Sequence, residues 1–341
     1  MKLIDTRNAV GHVLCHDLTQ IIPGVTKDAR FRKGHIVAEA DIPVLLSMGK
    51  DHLYVWEKTE GMLHEDEAAE RLRALCQNEN MHPTPVKEGK IELVADVDGL
   101  FRVDAARLYA VNSVDEIMVA TRHTNTAVRR GDKLAGTRVI PLVVAEARLR
   151  EAEEAAGGAP LLELLPYVRK TAAIVTTGSE VFYGRIEDKF TPVVERKLAG
   201  FGISVVYRAK APDDRAQIVA AIGAARAAGA ELVVCTGGMS VDPDDQTPGA
   251  IKAAGARVVS YGAPVLPGAM FLLGYFDDGT PVMGLPGCVM YAGATVFDLV
   301  LPRVAAGVPV SKADLAGMGH GGLCLGCSEC RYPVCPFGKG V

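Results

Sequence analysis

One stretch of the 341-residue chain does most to limit what it can fold into: Glu231 through Ala250. Leu232, Val233, Val234 and Cys235 form a continuous apolar run, the pattern of a strand buried on both faces of a parallel sheet. The run stops at Thr236-Gly237-Gly238, where missing β-carbons let backbone N–H groups approach a bound anion. Asp242, Asp244 and Asp245 follow, and then Thr247-Pro248, a helix start with proline at its first position. Strand, glycine turn and helix start together make the phosphate-facing corner of an α/β fold. Three crowded aspartates would repel a bare phosphate, but Mg²⁺ can bridge carboxylates to phosphates. Alone, the stretch also fits a solvated acidic loop behind a buried strand, so its neighbours carry the weight.

From Thr171 onward those neighbours alternate between strand and helix patterns. Residues 172–176 read as a strand, Thr177-Gly178-Ser179-Glu180 as a turn, and 188–199 as a helix with Phe190, Val193, Val194 and Leu198 at helical spacing. A strand at 203–207 leads to Pro212-Asp213-Asp214, which opens a helix closed at Gly229. After the glycine turn come a helix at 248–254, strands at 257–260, 270–275 and 281–284, Leu285-Pro286-Gly287, and a last helix at 289–299. Repeated β-α units imply a mostly parallel sheet with helices on both faces. The loops 177–188, 212–214 and 236–245 then share the carboxyl edge of the sheet, where open α/β folds bind ligands.

The first half reads differently, as a smaller β-rich α+β region. Residues 1–58 mix short strands, the last ending at Trp56, with a helix at 41–49 capped by Asp41. Residues 59–156 combine a helix at 65–77, strands at 90–95, 100–103, 116–121 and 138–144, a Gly131-Asp132 hairpin turn and a charged helix at 146–156. His12, His16 and His35 read as surface or turn histidines, and Arg129, Arg130 and Lys133 as a solvated turn. Gly157-Gly158-Ala159-Pro160 is a break, and a main domain of 170–310 begins beyond it. A net charge of −4 favours neither nucleic acid nor an anionic membrane as partner. Charges occupy the N-terminus where a signal peptide is apolar, and no run approaches the roughly 18 apolar residues of a membrane helix, so a cytoplasmic location is expected.

Residues 311–341 form a third kind of sequence. Four of the eight cysteines, Cys324, Cys327, Cys330 and Cys335, fall in a C-x2-C-x2-C-x4-C-Pro run. In a reducing compartment such a cluster reads as a metal site rather than disulfides. The spacing is near the bacterial ferredoxin run, and a structural Cys₄ zinc is the alternative. His320 is a substitute ligand in either case.

With these motifs in place, residues 171–305 resemble the MoaB/Mog fold of molybdopterin-binding proteins, which act in the last steps of molybdenum cofactor synthesis. Members of that family carry a Gly-Gly turn, a spacer and Asp-x-Thr-Pro, matched here by Gly237-Gly238 and Asp245-Gln246-Thr247-Pro248. They also place Pro-Asp before the preceding helix, matched by Pro212-Asp213, and Leu-Pro-Gly before a later one, matched by Leu285-Pro286-Gly287. The spelling Gly-Gly-x-Ser-Val and the turn 177–180 resemble the MoeA branch, which inserts molybdate into adenylylated molybdopterin.

The resemblance implies a three-layer α/β domain and assigns roles by position. Asp213 and Asp245 match the aspartates of the family's chemistry, with Asp244 as spacer. Gly237, Gly238, Met239, Ser240 and Asp242 would line the pterin pocket, with Thr177, Gly178, Ser179, Glu180 and Asp188 on the neighbouring loop and Pro286, Gly287 and Cys288 opposite. Implied ligands are molybdopterin or its adenylate, molybdate or tungstate, and Mg²⁺. Implied partners are a second copy of the chain in a homo-oligomer and a molybdoenzyme or another cofactor-synthesis protein. The chain departs from the MoeA pattern in several places. Pro267-Gly268-Ala269-Met270 stands where that branch has Pro-Gly-Lys-Pro, Cys288-Val289 follows Leu-Pro-Gly, Asp242 replaces a glycine, and residues 1–150 lack the serine- and methionine-rich loop. Cys288 reads either as a small buried hydrophobe or as a soft pocket residue. Two functions follow: Mg²⁺-dependent molybdate insertion, or a non-catalytic carrier or sensor of the pterin. An electron-transfer protein built on the tail is a third reading, but it leaves the pocket unexplained.

Overall fold

A computed structural model describes residues 2–22, 26–55, 60–240, 242 and 245–340. Trp56, at the end of an expected strand, and Asp244 lie outside the described residues. The chain packs as two units, the first running to Leu164 except for residues 98–100 and 125–127, which count with the second.

In the first unit, a four-stranded antiparallel sheet takes the order Met81–Pro83, Lys90–Ala95, Lys133–Val139, Ile117–Thr121. Helices Glu65–Cys76 and Glu146–Ala156 contribute Leu72 and Leu149 to a core with Leu93 and Leu134. Three expectations are corrected here. The strand at 138–144 is two strands, Lys133–Val139 and Val143–Ala145, because the chain bends at 140–142, where Pro141 has no N–H for a ladder, and the second strand pairs with Met62–His64 instead of Ile117–Thr121. Between the strands a helix, Ala105–Asn112, was not expected; Asp104 caps it by accepting from the Arg107 amide. At the helix expected over 41–49, which forms over Asp41–Ser47, Ala40 rather than Asp41 is the capping position, and Asp41 instead accepts from the Ala38 amide and His35.

The second unit carries the α/β alternation. Its elements are β1 (Thr171–Thr177), α1 (Ser179–Phe182), α2 (Phe190–Ala199), β2 (Ser204–Ala211), α3 (Arg215–Ala227), β3 (Val233–Thr236), α4 (Thr247–Ala253), β4 (Arg257–Tyr261), β5 (Leu272–Tyr275), β6 (Pro281–Leu285), α5 (Val296–Ala305) and α6 (Lys312–Gly317). The sheet order is β2-β1-β3-β6-β5-β4. The first four strands run parallel, and β5 is antiparallel to both its neighbours.

Alternation along β1 divides the interior between the two sheet faces. Ala172 and Ile174 join a core with Val194 and Leu198 of α2 and Val300 of α5, whereas Ala173 and Val175 meet Ile218 and Ile222 of α3 and Ile251 of α4. The domain is therefore a three-layer α/β sandwich with a mostly parallel sheet. Each fully buried isoleucine or valine contributes about 1.5–3 kcal/mol.

The expected turn at 177–180 includes the start of a short helix, α1. The helix expected at 289–299 is also corrected. Gly287–Met290 forms only a 3-10 turn, and the α-helix starts at Val296. Thr295 and Asp298 make a reciprocal capping box, which fixes the start there by satisfying the otherwise unpaired amides of the first turn.

Candidate functional site

Because β1, β2, β3 and β6 are parallel, the segments leaving their carboxyl ends share one edge. Four threonines terminate or face these strands there, and each is at most 2% exposed: Thr176, Thr177, Thr236 and Thr247. Buried hydroxyls are stable only when hydrogen-bonded, and these bond to one another's groups. Thr177 Oγ1 donates to the Thr236 carbonyl at 3.1 Å and lies 2.8 Å from Thr247 Oγ1. Thr236 Oγ1 donates to Thr176 Oγ1 at 3.3 Å. The result joins the ends of β1 and β3 to the start of α4.

On this base stands the Gly237-Gly238 turn, with φ of 88° and 54°. A β-carbon on Gly237 would lie 2.1 Å from the Thr177 carbonyl oxygen, and one on Gly238 would lie 2.8 Å from Thr247 Oγ1. The glycines are thus required by contact with β1 and the start of α4, beyond any need to admit an anion. A second tie links the loops after β1 and β2. Asp213 Oδ2 accepts from the Ser179 amide at 2.8 Å, and Ser179 Oγ accepts from the Asp213 amide at 3.2 Å. Asp245 Oδ2 accepts from the Asp242 amide at 3.3 Å, so these two aspartates close their own turn.

The edge thereby gathers Thr177, Gly178, Ser179, Asp213, Gly237, Gly238, Asp242 and Asp245 from three consecutive loops. Other expected residues have different environments. Asp188 is half-buried and accepts from the Phe190 and Thr191 amides at 2.9 and 3.0 Å and from the Thr191 and Thr176 hydroxyls at 2.6 and 3.3 Å. Burial would raise its carboxyl, but these bonds outweigh it and hold the group below the usual carboxylate range. Its bonds are those of a residue starting α2. Met239 is 4% exposed, and its side chain packs over Gly284, where a β-carbon would lie 2.6 Å from its Sδ. Only the Met239 backbone faces the loop, and its carbonyl and that of Ser240 lie 2.9 and 3.2 Å from the Tyr261 hydroxyl. Glu180 is exposed on α1. Pro286 is buried at the end of β6, and Gly287 is exposed. Cys288 is half-buried in the 3-10 turn; burial pushes its thiol up, reinforced by the nearby Asp298.

Two contributors escaped the sequence. Tyr261 ends β4 and braces the glycine loop. Arg215, exposed at the start of α3, lies against Gly249 in α4, with its Cζ 3.8 Å from where a β-carbon on that glycine would stand. It brings a cation beside the start of α4. A signal for the threonines was present, since each ends an apolar run or opens a helix. Nothing in the order of residues singled out Tyr261 or Arg215.

A cleft of about 1020 Å³ lies at the opposite end of β6 between Arg169, Asp277, Asp278 and Lys312, and none of the expected residues lines it. Among the described residues, no three His, Cys, Asp or Glu side chains converge as a single metal ion would require. None of the described helices is long and apolar enough to cross a membrane.

Residues 173–306 match the family model "Probable molybdopterin binding domain", and residues 3–57 match "Domain of unknown function (DUF8806)". The segment 173–306 is thus similar to a probable molybdopterin-binding domain, one shared with proteins named for molybdenum cofactor biosynthesis. Among curated relatives, a molybdenum cofactor biosynthesis bifunctional protein of Synechococcus elongatus is 28% identical over 162 residues, 44% of this chain and 49% of that protein. A molybdopterin adenylyltransferase of Pyrococcus furiosus is 32% identical over 89 residues, 26% of this chain and 52% of that protein. A shorter match, 36% over 81 residues, 24% of this chain and 19% of the other, runs to a CinA-like protein of Chlorobium chlorochromatii. The chain thus spans about half or less of these relatives. Among solved structures, the molybdopterin biosynthesis enzyme MoaB of Thermus thermophilus is similar at 22% identity and a TM-score of 0.35, covering 41% of this chain and 98% of that one.

Proposed function

We propose that the carboxyl edge of this sheet binds molybdopterin or its adenylate, and that the protein inserts molybdate or tungstate there with Mg²⁺, as in the MoeA-like branch. The observation carrying this reading is the linkage of three loops: Asp213 and Ser179 bond reciprocally, while Gly237 and Gly238 rest on Thr177. Rigidly connected loops can hold a phosphate group and a cation in one geometry, which is what a charge-stabilising site needs.

The residues fit Mg²⁺. A carboxylate offers about four lone-pair sites, so the one amide bond that Asp213 and Asp245 each accept among the described residues leaves acceptor capacity for a cation. Mg²⁺ typically takes one or two carboxylates together with substrate phosphates, so convergence of three acids is not a requirement. When bound, it would offset charge developing on the cleaved phosphoanhydride. Asp213 meanwhile orients the Ser179 loop, Asp245 closes the 242–245 turn, and Arg215 supplies a further positive charge. No covalent nucleophile is needed. Homo-oligomerisation, a cytoplasmic location and delivery to a molybdoenzyme or another cofactor-synthesis protein belong to the same reading, as does a metal, iron–sulfur or zinc, at the tail cysteines.

The test is incubation with adenylylated molybdopterin, molybdate and Mg²⁺, following AMP release. Turnover that depends on Mg²⁺ and disappears in Asp245→Asn, with pterin binding retained, is the expected result. Pterin binding without any AMP release would overturn insertion in favour of a carrier, a reading that the exposed, uncharged Ala269 favours.

A further inference from the structure

The tail cysteines take no part in the pterin edge, yet they are held in place by the same unit. Phe337 is 3% exposed within the core against α5, and the Tyr332 hydroxyl donates to the Asp298 carbonyl at 3.1 Å. The two rings meet edge to face, with centroids 6.1 Å apart. Upstream, the Cys324 amide donates to the Leu266 carbonyl and the Leu266 amide to Gly322, each at 2.8 Å. Glycine-rich backbone is expensive to order, and these anchors fix the segment at both ends.

Between the anchors, Cys324, Cys327, Cys330 and Cys335 all line one cavity of about 320 Å³. All four are free thiols. One wall is the segment 291–294, and aromatic surface from Tyr332 and Phe337 also lines it. Cys330 presses on that wall so closely that a β-carbon on Gly293 would lie 2.7 Å from its Sγ. The wall continues from the Leu285-Pro286-Gly287 turn, since the Tyr291 and Ala292 amides donate to the Cys288 carbonyl at 3.2 and 2.9 Å.

Tetrahedral zinc, with Zn–S bonds of about 2.3 Å, draws its thiolates to within about 3.8 Å of one another and needs no space between them. Here the four thiols border a common space of about 320 Å³, which leaves room for a polynuclear body. The C-x2-C-x2-C-x4-C-Pro spacing is close to a ferredoxin run. We propose that the cavity holds an iron–sulfur cluster of the [4Fe–4S] class, ligated by Cys324, Cys327, Cys330 and Cys335. Two ferrous ions, two ferric ions and four sulfides make the 2+ core without an added oxidant, and the four thiol protons pass to the buffer as the Fe–S bonds form. This assignment rests on the reading of a metal at the tail cysteines given above; because the site uses none of the residues assigned to the pterin edge, metal retention and AMP release can each fail without the other.

The full chain, purified without oxygen, is reconstituted with equal ferrous and ferric iron and sulfide, then desalted. The expected product retains about four irons and four sulfides per chain, with a broad visible absorption that bleaches on reduction with dithionite. Cys330→Ser lowers the retained iron several-fold. Gly293→Ala does the same while changing no ligand, because its methyl occupies the position of Cys330. Circular dichroism and thermal unfolding verify that both variants are folded. Retention of zinc without sulfide, of no metal by the folded wild-type chain, or of equal iron in wild type and both folded variants overturns the proposal.

Discussion

Replacing Thr177 by valine tests whether the threonine group at the strand ends holds the site together. The hydroxyl has one proton, which goes to the Thr236 carbonyl at 3.1 Å, so Thr247 must donate to Thr177 across their 2.8 Å contact. Valine keeps the shape, and no cavity opens, so the loss is confined to these two bonds. The Thr247 hydroxyl is left buried without that acceptor, a cost of about 1–3 kcal/mol, and the lost bond to Thr236 adds about 1 kcal/mol. The total expected destabilisation of the second unit is about 2–4 kcal/mol. Thr177→Val/Thr247→Val removes the stranded hydroxyl, so the double variant should cost about 1–2 kcal/mol less than the sum of the singles. Since the chain holds two packed units, a single unfolding curve would mix them. Hydrogen–deuterium exchange of the β1 and β3 amides reads the relevant unit alone. Single-variant losses below about 0.5 kcal/mol, or additivity within that margin, would refute the reasoning.

Three further outcomes are expected. Glu65, 6% exposed in the first unit, has its carboxyl pushed up to about 7 by burial and by neighbouring Asp66. The folded state therefore binds this proton more tightly than the unfolded state, whose value is 4.5, and stability should fall as pH rises from 4.5 to about 7, by roughly 3 kcal/mol at most; Glu65→Gln should flatten that slope in urea melts. Asp188→Ala should cost about 1–2 kcal/mol by exposing the α2 start, and the wild-type contribution should fade as pH falls below 3.8, because the folded carboxyl is held low; acid titration by circular dichroism checks both. Arg215→Ala should weaken pterin binding about tenfold, the effect of losing a charge-assisted bond of about 1.5 kcal/mol, with unchanged thermal stability by calorimetry; equal affinity would remove Arg215 from the site.

Much of the fold of the second unit was legible because its signals are local. Apolar runs such as Leu232–Cys235 leave little choice but a buried strand, and the β-α alternation forces parallel pairing with helices on both faces. The four-cysteine run was equally plain from spacing. Element starts were harder to read where two signals competed. The Leu285-Pro286-Gly287 turn suggested an immediate helix, but the Thr295–Asp298 capping box lies further on and sets the start of α5. Similarly, Ala105–Asn112 sits among strand-like segments and depends on Asp104 for its cap.

The sequence by itself determined which residues could be polar at the strand ends and in which order the loops leave the sheet. It assigned Asp188 and Met239 to a pocket by position alone. Only tertiary structure separated their roles: Asp188 is consumed by four hydrogen bonds at the start of α2, and the Met239 side chain fills space above Gly284. Likewise, the Gly-Gly turn looked like a place for an anion to approach, and the structure adds that Thr177 leaves no room there for a β-carbon. The physical reason is common to these cases. Local pattern reports secondary structure and polarity, whereas a side chain's partners come from strands and loops tens of residues away, brought together by the sheet order.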